Sequence, residues 1–286
     1  MPELPEVQTT VDGLNRTVKG RTIVGVWTGY KSTHTMHRGS IKEPAFFKEF
    51  KKKVIGQKIL KAERRAKNIL ISLSGGHTIL VHMKMTGHFV YDPKPGYPFV
   101  HLSFDLDNGK KLAFSDMRKF AKVTIFDTRD LKTSPHLSHL GPEPLDPKFT
   151  YLPFKERLLR RPRGKAKQVL LDQMIIAGIG NIYSDEILWL AGVHPLSLIE
   201  KIPEKNMKLM FEAMKDTLLK GIDFGGDSTS DYRNIYGERG KFQATHNAYQ
   251  MNKKKCKKRG CPGTLERIVV GGRSAHFCPV HQKLFK

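Results

Sequence analysis

The chain has 286 residues, which is enough for two domains or for one large domain with an ample hydrophobic core. Its 50 Lys and Arg residues outnumber its 27 Asp and Glu residues, and the formal net charge of +23 suits a polyanionic partner, most simply nucleic acid. No run of about 18 apolar residues predicts a membrane span, and the N-terminus lacks the basic and apolar regions of a secretory signal.

The first six residues predict the start of a helix beside a reactive amine. Removal of Met1 is expected because Pro2 is small, and Pro2 then carries a secondary amine with a pKa of about 8. Such an amine attacks carbonyl-type carbons, and Glu3 and Glu6 are close enough in sequence to supply a proton. The same residues also fit an ordinary helix start, with proline and acidic residues in the first turn. Apolar residues at helical spacing extend this helix to about residue 19.

Residues 21–126 predict mainly β-strands, because short apolar runs rich in β-branched residues alternate with turn signals. The predicted strands comprise residues 22–27, 69–73, 78–83, 100–106, 111–115 and 122–126. A short helix around residues 43–50 interrupts them. Many short strands at close spacing are typical of a β-sandwich.

Two short segments between these strands combine positive charge with other functional groups. Residues 64–68 place two arginines and a lysine before an apolar strand. Residues 116–120 place an acidic residue, two basic residues and a phenylalanine on a predicted turn. Each segment fits either a solvated turn or a contact with an anionic partner.

A change of periodicity near residue 140 predicts a domain boundary. Residues 1–137 form the predicted β-rich domain, and the proline-containing residues 138–152 form a linker. Helical patterns then cover residues 154–161, 168–176, 181–190 and 204–219. They belong to a predicted helical domain of residues 153–245, which ends in a polar, glycine-rich loop at about residues 221–245. Residues 246–286 complete the chain as a separate C-terminal unit.

A Gly-Ile-Gly turn precedes one of these helices at residues 178–180. A turn that opens a helix can present backbone N–H groups to a phosphate, and the positive charge of the chain favours that use. The turn does not follow a strand and lacks a third glycine, so it is not a dinucleotide-binding motif. A tight connection between two helices is the alternative.

The C-terminal unit contains every cysteine of the chain in a spacing typical of a metal site. Cys256 and Cys261 are separated by four residues, and Cys278 and His281 follow after a hairpin-length spacer, two residues apart. Three clustered cysteines do not form a disulfide framework, whereas three thiolates and one imidazole suit a tetrahedral Zn²⁺ ion. The sequence therefore predicts one structural zinc ion, with three free cysteines and a chance histidine as the alternative.

Three motifs together resemble the formamidopyrimidine-DNA glycosylase and endonuclease VIII family. They are Pro-Glu-Leu-Pro-Glu-Val at residues 2–7, Gly-Ile-Gly-Asn-Ile-Tyr at residues 178–183 and the C-terminal finger, and they span nearly the whole chain. The resemblance implies an α+β multidomain fold. Its parts are an N-terminal β-sandwich flanked by helices and a C-terminal helix–two-turn–helix domain with a zinc-finger β-hairpin.

The resemblance also implies catalytic roles. Pro2 matches the proline that attacks the sugar C1′ of a damaged nucleotide, and Glu3 matches the acid that assists opening of the sugar ring. Glu6 matches a second carboxylate that shapes the site, and Lys67 matches an essential lysine before a strand. Arg273 matches the finger arginine that grips phosphates around the flipped nucleotide, and it belongs with the catalytic set.

Further matches imply DNA-binding residues. The residues that fill the space left by the flipped base are Met85, Arg118 and Phe120. The phosphate-binding residues of the helix–two-turn–helix module are Lys167 and Asn181. The DNA-binding set also includes His82 and Tyr232.

The family match implies a bifunctional DNA glycosylase and AP lyase of base excision repair. Such an enzyme excises oxidised purines (8-oxoguanine, formamidopyrimidine) from double-stranded DNA through a proline iminium intermediate and β,δ-elimination. We expect a cytoplasmic, nucleoid-associated monomer with no membrane partner. An endonuclease VIII-like glycosylase for oxidised pyrimidines and a non-catalytic zinc-finger DNA-binding protein are the alternatives. Net charge alone would also fit a ribosomal or chromatin protein.

The chain departs from the family pattern at three places. Four residues rather than two separate Cys256 from Cys261, and His281 stands where the family usually has a fourth cysteine. Met-Arg-Lys at residues 117–119 replaces the usual Pro-Arg. Asp227 follows Gly-Gly in the loop that the family uses on the damaged base, so base preference is the least direct inference from the resemblance.

Overall fold

An N-terminal helix and antiparallel β-sheets build the first of two units into which the chain divides by its internal contacts. The computed structural model describes residues 1–31 and 39–286. The first unit comprises Met1–Ser138 and Phe224–Lys241, and the second comprises His139–Asp223 and Phe242–Lys286. Each unit is therefore assembled from two separate stretches of the chain.

The first unit contains helices α1 (Leu4–Thr17) and α2 (Pro44–Val54). Its strands are β1 (Ile23–Thr28), β2 (Ile59–Arg65), β3 (Asn68–Leu73), β4 (His77–His82), β5 (His88–Tyr91), β6 (Val100–Leu106), β7 (Lys111–Ser115) and β8 (Lys122–Asp127). A short 3-10 helix follows at Thr128–Thr133. Each predicted strand is present, with its ends shifted by at most one residue.

The strands of this unit form antiparallel sheets in the orders β1-β6-β7-β5 and β2-β3-β4-β8. Inward side chains of both sheets and of α1 share one hydrophobic core, with Phe89, Phe104 and Phe114 among its largest members. Alternate residues of most strands face this core, as an antiparallel sandwich requires, and the register shifts in β1 and β2 interrupt the alternation there. The predicted β-sandwich is confirmed.

The sequence does not predict β2 or β5, for different physical reasons. Four of the seven residues of β2 are charged, because one face of this strand is exposed to solvent. β5 is only four residues long, which is too short for an alternating pattern to stand out. Both strands are recognisable only through their pairing with β3 and β7.

Residues 224–241 belong to the first unit by their internal contacts, whereas the predicted division places them in a helical domain of residues 153–245. Ile235 is buried against α1, where an added Cβ on Gly13 would lie 2.7 Å from Ile235 Cγ2. The carbonyl group of Ile235 also accepts a hydrogen bond from the backbone N–H of Tyr91 at 2.8 Å. These contacts join positions far apart in sequence, so the polar, glycine-rich composition of the segment does not reveal them.

The second unit contains helices and a β-hairpin. Its elements are α3 (Tyr151–Leu159), α4 (Ala166–Leu171), α5 (Asn181–Ala191), α6 (Glu204–Asp223), β9 (Glu266–Val270) and β10 (Arg273–Phe277). α4 ends five residues before its predicted end, because the backbone of Asp172 is extended and its Oδ1 accepts a hydrogen bond from the backbone N–H of Met174 at 2.9 Å. Within residues 1–31 and 39–286, no helix combines the length and apolarity needed to cross a membrane.

Candidate functional site

A buried carboxylate joins the start of α1 to residues 224–241. Glu6 is 1% exposed, and its Oε2 accepts a hydrogen bond from the backbone N–H of Glu3 at 2.7 Å. Its Oε1 accepts a hydrogen bond from the backbone N–H of Asp227 at 2.7 Å. Glu3 caps the helix, and Pro2 is buried directly before it. The structure therefore brings Pro2, Glu3 and Glu6 together at one end of α1.

Close packing around Glu6 depends on Gly226. Gly226 has a φ of +85°, and an added Cβ would lie 3.0 Å from Glu6 Cγ and 2.9 Å from Tyr232 Cε1. Glycine is the residue that combines this backbone conformation with so close an approach. Tyr232 is buried, and burial raises the pKa of its hydroxyl well above the usual value. The ring packs against Gly226 instead of facing solvent, so the predicted DNA contact of Tyr232 stays a prediction that its exposure does not support.

Lys67 occupies the tip of the β2–β3 hairpin. Arg65 pairs with Asn68, which leaves Ala66 and Lys67 as a two-residue turn. Ala66 has a φ of 54°, a left-handed conformation that is uncommon for a residue with a side chain. Lys67 is only 6% exposed, so most of this basic side chain is buried even though it stands on a turn. Backbone conformations of this kind cluster at functional sites.

His82 lies at the end of β4, near Lys67. Its Nδ1 accepts a hydrogen bond from the backbone N–H of Lys84 at 3.1 Å, so the proton of the neutral ring is on Nε2. Burial, with the positive charges of Lys84 and Lys67, lowers the pKa of His82 to about 3. The imidazole is therefore neutral near pH 7 and offers a single N–H donor, which suits a phosphate oxygen.

A buried aspartate ties together the loops that carry the predicted void-filling residues. Asp116 accepts hydrogen bonds from the hydroxyl groups of Thr86 at 2.7 Å and Tyr30 at 3.0 Å. It also accepts one from the backbone N–H of Ala121 at 2.8 Å. The Thr86 hydroxyl in turn accepts a hydrogen bond from the backbone N–H of Arg118 at 3.0 Å. The loop after β4 is thereby fixed to the loop after β7.

Arg118 and Phe120 project from the loop after β7. Both are exposed, and the guanidinium carbon of Arg118 lies 4.6 Å from the ring centroid of Phe120. Met85, on the loop after β4, is half-buried. Lys84 and Lys119 have φ values of 55° and 56°, so both loops turn sharply beside these residues. The linked loops present an apolar, a cationic and an aromatic side chain, which suits insertion into a base stack.

Lys167 is fully buried in the second unit, so its predicted contact with DNA phosphate stays a prediction that the exposure of this side chain does not support. Its Nζ donates to Asp185 Oδ1 at 2.5 Å and to the carbonyl of Asn181 at 3.1 Å. The other oxygen of Asp185 accepts hydrogen bonds from the backbone N–H of His276 at 3.0 Å and from its Nδ1 at 2.9 Å. Lys167 thus neutralises a buried carboxylate that fixes β10 to α5.

The neighbouring carboxylate fixes the chain that leads into the finger. Glu186 accepts hydrogen bonds of 2.9 Å from the backbone N–H groups of Asn247, Ala248 and Tyr249. The side-chain amide of Asn247 adds one of 3.0 Å. Hydrogen bonds to an ionised acceptor are stronger than those between neutral groups, so Glu186 holds residues 247–249 tightly to α5. Asp185 and Glu186 therefore couple α5 to two separate parts of the C-terminal region.

Asn181 begins α5 directly after the Gly-Ile-Gly turn. The side chain of Gln173 braces this turn by accepting a hydrogen bond from Gly178 N–H at 2.9 Å and donating one to the carbonyl of Ile179 at 2.8 Å. Asn181 is half-buried at the N-terminal end of the helix, where the helix dipole favours an anion. This position fits the predicted phosphate contact.

Arg273 is exposed at the start of β10, immediately after the turn formed by Gly271 and Gly272. The turn packs against α4, since an added Cβ on Gly271 would lie 2.4 Å from Gln168 Nε2. The hairpin tip is thus supported by the helix that carries Lys167. An exposed arginine on a braced hairpin is well suited to grip a phosphate.

Three thiols and an imidazole converge in the C-terminal region. The Sγ atoms of Cys256, Cys261 and Cys278 and a ring nitrogen of His281 all lie within 4.8 Å of one another. His281 Nδ1 is 3.2 Å from Cys256 Sγ, and the Sγ atoms of Cys261 and Cys278 are 3.6 Å apart. These separations match the edges of a tetrahedron around one zinc ion, and a donor set of three sulfurs and one nitrogen favours zinc.

Sequence reasoning does not identify four supporting residues: Thr86, Asp116, Asp185 and Glu186. Their importance lies in buried hydrogen bonds to distant parts of the chain. A signal exists for the two acids of α5, because adjacent acidic residues in an otherwise apolar helix require partners when buried. Asp116 carries no such signal, since an aspartate at the start of a turn is common.

Comparisons with known proteins agree with the motifs. The formamidopyrimidine-DNA glycosylase N-terminal domain matches residues 1–123, and the H2TH domain of the same enzyme matches residues 140–233. A formamidopyrimidine-DNA glycosylase of Chloroflexus aggregans is 40% identical over 99% of this chain and 99% of its own length. The chain belongs to the formamidopyrimidine-DNA glycosylase family. The Bacillus subtilis member is 38% identical over 97% of this chain and 98% of its own length.

Solved structures of formamidopyrimidine-DNA glycosylases share the fold along the whole chain. The Lactococcus lactis enzyme with abasic-site DNA has a TM-score of 0.87 at 30% identity, covering 98% of this chain and 99% of that chain. The same enzyme in complex with N7-benzyl-Fapy-dG DNA has a TM-score of 0.86 at 31% sequence identity. Its complex with oxidised-pyrimidine DNA has a TM-score of 0.86 at 30% sequence identity, and each match covers 99% of this chain and 100% of that chain. The predicted family, the enzyme class and the α+β fold with its finger hairpin are confirmed.

Proposed function

We propose that the protein removes oxidised purines, such as 8-oxoguanine and formamidopyrimidine, from double-stranded DNA and then cleaves the strand. The observation that carries this proposal is the cluster at the start of α1, where Pro2 lies beside the buried Glu3 and Glu6. Membership of the family and the DNA complexes of the Lactococcus lactis relative support DNA as the substrate. The enzyme acts as a monomer on nucleoid DNA in the cytoplasm.

Base excision requires a flipped nucleotide, because a stacked base hides the sugar carbon C1′ from an attacking amine. The lone pair of neutral Pro2 forms a bond to C1′, and the glycosidic bond breaks with its electrons passing to the departing base. The ammonium formed at Pro2 then loses its proton. Glu3 protonates the ring oxygen as the sugar opens, and the nitrogen lone pair forms the iminium.

Strand cleavage follows from the electron-withdrawing iminium. It acidifies the C2′ proton, and loss of that proton expels the 3′ phosphate in a β-elimination. A second proton loss expels the 5′ phosphate in a δ-elimination and leaves a one-nucleotide gap. Water adds to the remaining iminium, and its hydrolysis releases the unsaturated sugar fragment as an aldehyde and restores Pro2. Lys67, Asn181 and Arg273 hold the phosphates in place during these steps.

The loops after β4 and β7 would stabilise the flipped state. Unstacking a nucleotide costs a few kcal/mol. Met85, Arg118 and Phe120 offset this cost by filling the vacated space. The Asp116 hydrogen bonds support this role, because they order both loops before DNA binds. His82 adds a neutral donor for the backbone beside the flipped sugar.

We propose one structural zinc ion for the cluster of Cys256, Cys261, Cys278 and His281. The convergence of these four donors supports the assignment, including the replacement of the usual fourth cysteine by histidine. Four protein ligands complete a tetrahedral shell and leave no position for substrate. The ion when bound supplies folding energy to the finger, and the β9–β10 hairpin then presents Arg273.

Cleavage of a panel of damaged duplexes tests the substrate assignment. Duplexes containing 8-oxoguanine or formamidopyrimidine should be cut faster than those containing thymine glycol or dihydrouracil, and undamaged duplex should remain intact. The oxidised-pyrimidine complex of the Lactococcus lactis relative favours the endonuclease VIII-like alternative as the second candidate. A preference for the two pyrimidine lesions would establish that alternative, and binding without cleavage of any lesion would indicate a non-catalytic protein.

A further inference from the structure

Trp189 lies against two of the four proposed metal ligands. It occupies the last turn of α5 and is 6% exposed. Its carbonyl accepts a hydrogen bond from His281 Nε2 at 2.9 Å, and the two rings meet edge to face with centroids 5.0 Å apart. Because Nε2 carries the proton, Nδ1 keeps its lone pair, and Nδ1 is the atom 3.2 Å from Cys256 Sγ.

The indole of Trp189 is associated with the second ligand, Cys256. Both residues belong to one buried cluster. Within residues 1–31 and 39–286, the buried indole Nε1 has no hydrogen-bond partner of ordinary geometry. A metal-bound thiolate accepts a hydrogen bond far better than a thiol does. The unpaired indole N–H lies in the same buried cluster as Cys256 and therefore suits a thiolate ligand at that position.

We propose that Trp189 supports the metal centre through two of its ligands. The Trp189 carbonyl selects the His281 tautomer that presents Nδ1 to the metal, and the indole N–H donates a hydrogen bond to the Cys256 thiolate. The inference rests on the proposed zinc site and deepens it. It also couples metal binding to α5, the helix whose Asp185 and Glu186 hold the same C-terminal region.

Zinc affinity provides the first test. Trp189→Phe removes the indole donor but keeps an aromatic ring and the backbone carbonyl, and in competition with a chelator it should bind Zn²⁺ about 10-fold more weakly than wild type. Trp27→Phe is the matched control, because Trp27 is an exposed residue of β1, and its zinc affinity should equal that of wild type. Equal affinities for Trp189→Phe and wild type would overturn the proposal. Failure of wild type to bind one zinc ion would instead overturn the metal site itself.

Replacement of Zn²⁺ by Co²⁺ gives a charge-transfer absorption band whose wavelength does not depend on the stability of the protein alone. A hydrogen bond stabilises the electrons of a thiolate and raises the energy of sulfur-to-cobalt charge transfer. In Co²⁺-loaded protein, Trp189→Phe should therefore shift the charge-transfer band to longer wavelength, and Trp27→Phe should not. An unshifted band in Trp189→Phe would contradict the hydrogen bond to Cys256.

Tryptophan fluorescence tests the contact even if Trp189→Phe does not fold. The chain has 2 tryptophans, so Trp27→Phe leaves Trp189 as the single emitter. Removal of Zn²⁺ by a chelator should change the intensity and wavelength of its emission, and added Zn²⁺ should restore both. Emission that is indifferent to zinc would overturn the proposal.

Discussion

At the scale of single residues, the neutral state of His82 has a consequence for stability. The folded protein takes up a proton at this ring only near pH 3, because burial and the charges of Lys84 and Lys67 lower its pKa from 6.5. The unfolded chain takes up that proton near pH 6.5. The unfolded state therefore binds more protons between these two values, and the free energy of unfolding should fall as the pH decreases from 6.5 towards 3.

The replacement His82→Gln should reduce this pH dependence by about one proton, while its amide oxygen can still accept the N–H of Lys84. Urea unfolding at about pH 7.5 and pH 5 measures the effect. His139→Gln, at an exposed position, serves as the control. A His82→Gln variant with the pH dependence of wild type would show that His82 is not the residue responsible.

The predicted DNA-contacting residues differ in how far their side chains are exposed to solvent. Arg118 and Phe120 are exposed, as a void-filling role requires. Lys167 and Tyr232 are buried, because Asp185 takes up the ammonium and Gly226 covers the ring. The sequence shows that a lysine or a tyrosine is present, but it does not show which distant residue packs against its side chain in the folded protein. Lys167 and Tyr232 therefore have structural roles in the folded chain, and their predicted contacts with DNA stay predictions.

At the scale of structural elements, the Lys167–Asp185 pair should dominate the stability of the α4–α5–β10 contact. Asp185→Asn leaves the ammonium of Lys167 buried without its counter-charge and should lower the free energy of unfolding by about 3–5 kcal/mol. The double variant Lys167→Met with Asp185→Asn removes both charges, and the introduced amide oxygen is still able to accept the N–H of His276. It should therefore unfold at a higher denaturant concentration than Asp185→Asn alone. A double variant less stable than the single one would contradict this electrostatic explanation.

The contact between residues 224–241 and α1 should depend on Gly226. Gly226→Ala adds left-handed strain and brings a methyl group against Glu6 and Tyr232, and it should cost about 1–3 kcal/mol of stability and slow base excision. Gly109→Ala isolates the strain, because Gly109 has a φ of +77° and nothing within 4 Å of an added Cβ. Denaturant unfolding and single-turnover excision should both show the larger loss for Gly226→Ala. Equal losses in the two variants would show that the contacts with Glu6 do not matter.

Element prediction was accurate where periodicity and length are clear. The strands β3, β4, β6 and β7 bury one or both faces and stand out as apolar runs between turns. α4 ends before its predicted end, because the side chain of Asp172 takes the backbone N–H of Met174 that a further helical turn would need. Such competition between side-chain and backbone hydrogen bonds leaves no trace in the pattern of apolar residues.

At the scale of the whole molecule, the net charge of +23 should make DNA binding strongly dependent on salt. Each phosphate contact contributes close to one unit to the slope of log affinity against log salt concentration. Arg273→Ala should lower the magnitude of that slope by about one for an abasic-analogue duplex. Lys167→Met should leave the slope unchanged, because Lys167 is buried. A larger change in Lys167→Met than in Arg273→Ala would contradict the assignments made from exposure.

The charge composition predicted the binding partner of the molecule, whereas the pattern of predicted elements did not reproduce its division into two units. The excess of basic residues pointed to nucleic acid, and the family confirms a DNA enzyme. The predicted division differs from the two contact-based units at residues 224–241, which follow α6 in sequence but belong to the first unit. Discontinuous units of this kind arise from long-range packing, here of Ile235 on α1, and a linear pattern of elements does not encode them.

The chemistry at Pro2 can be tested by trapping. Borohydride reduces an iminium to a stable amine, so reaction with an abasic-site duplex followed by proteolysis and mass spectrometry locates the attached residue. We predict a single adduct on the N-terminal peptide that begins with Pro2. A variant whose N-terminal extension acylates Pro2 should still bind the duplex and give no adduct. An adduct on Lys67 or another lysine, or undiminished trapping by the extended variant, would contradict the assignment of Pro2 as the nucleophile.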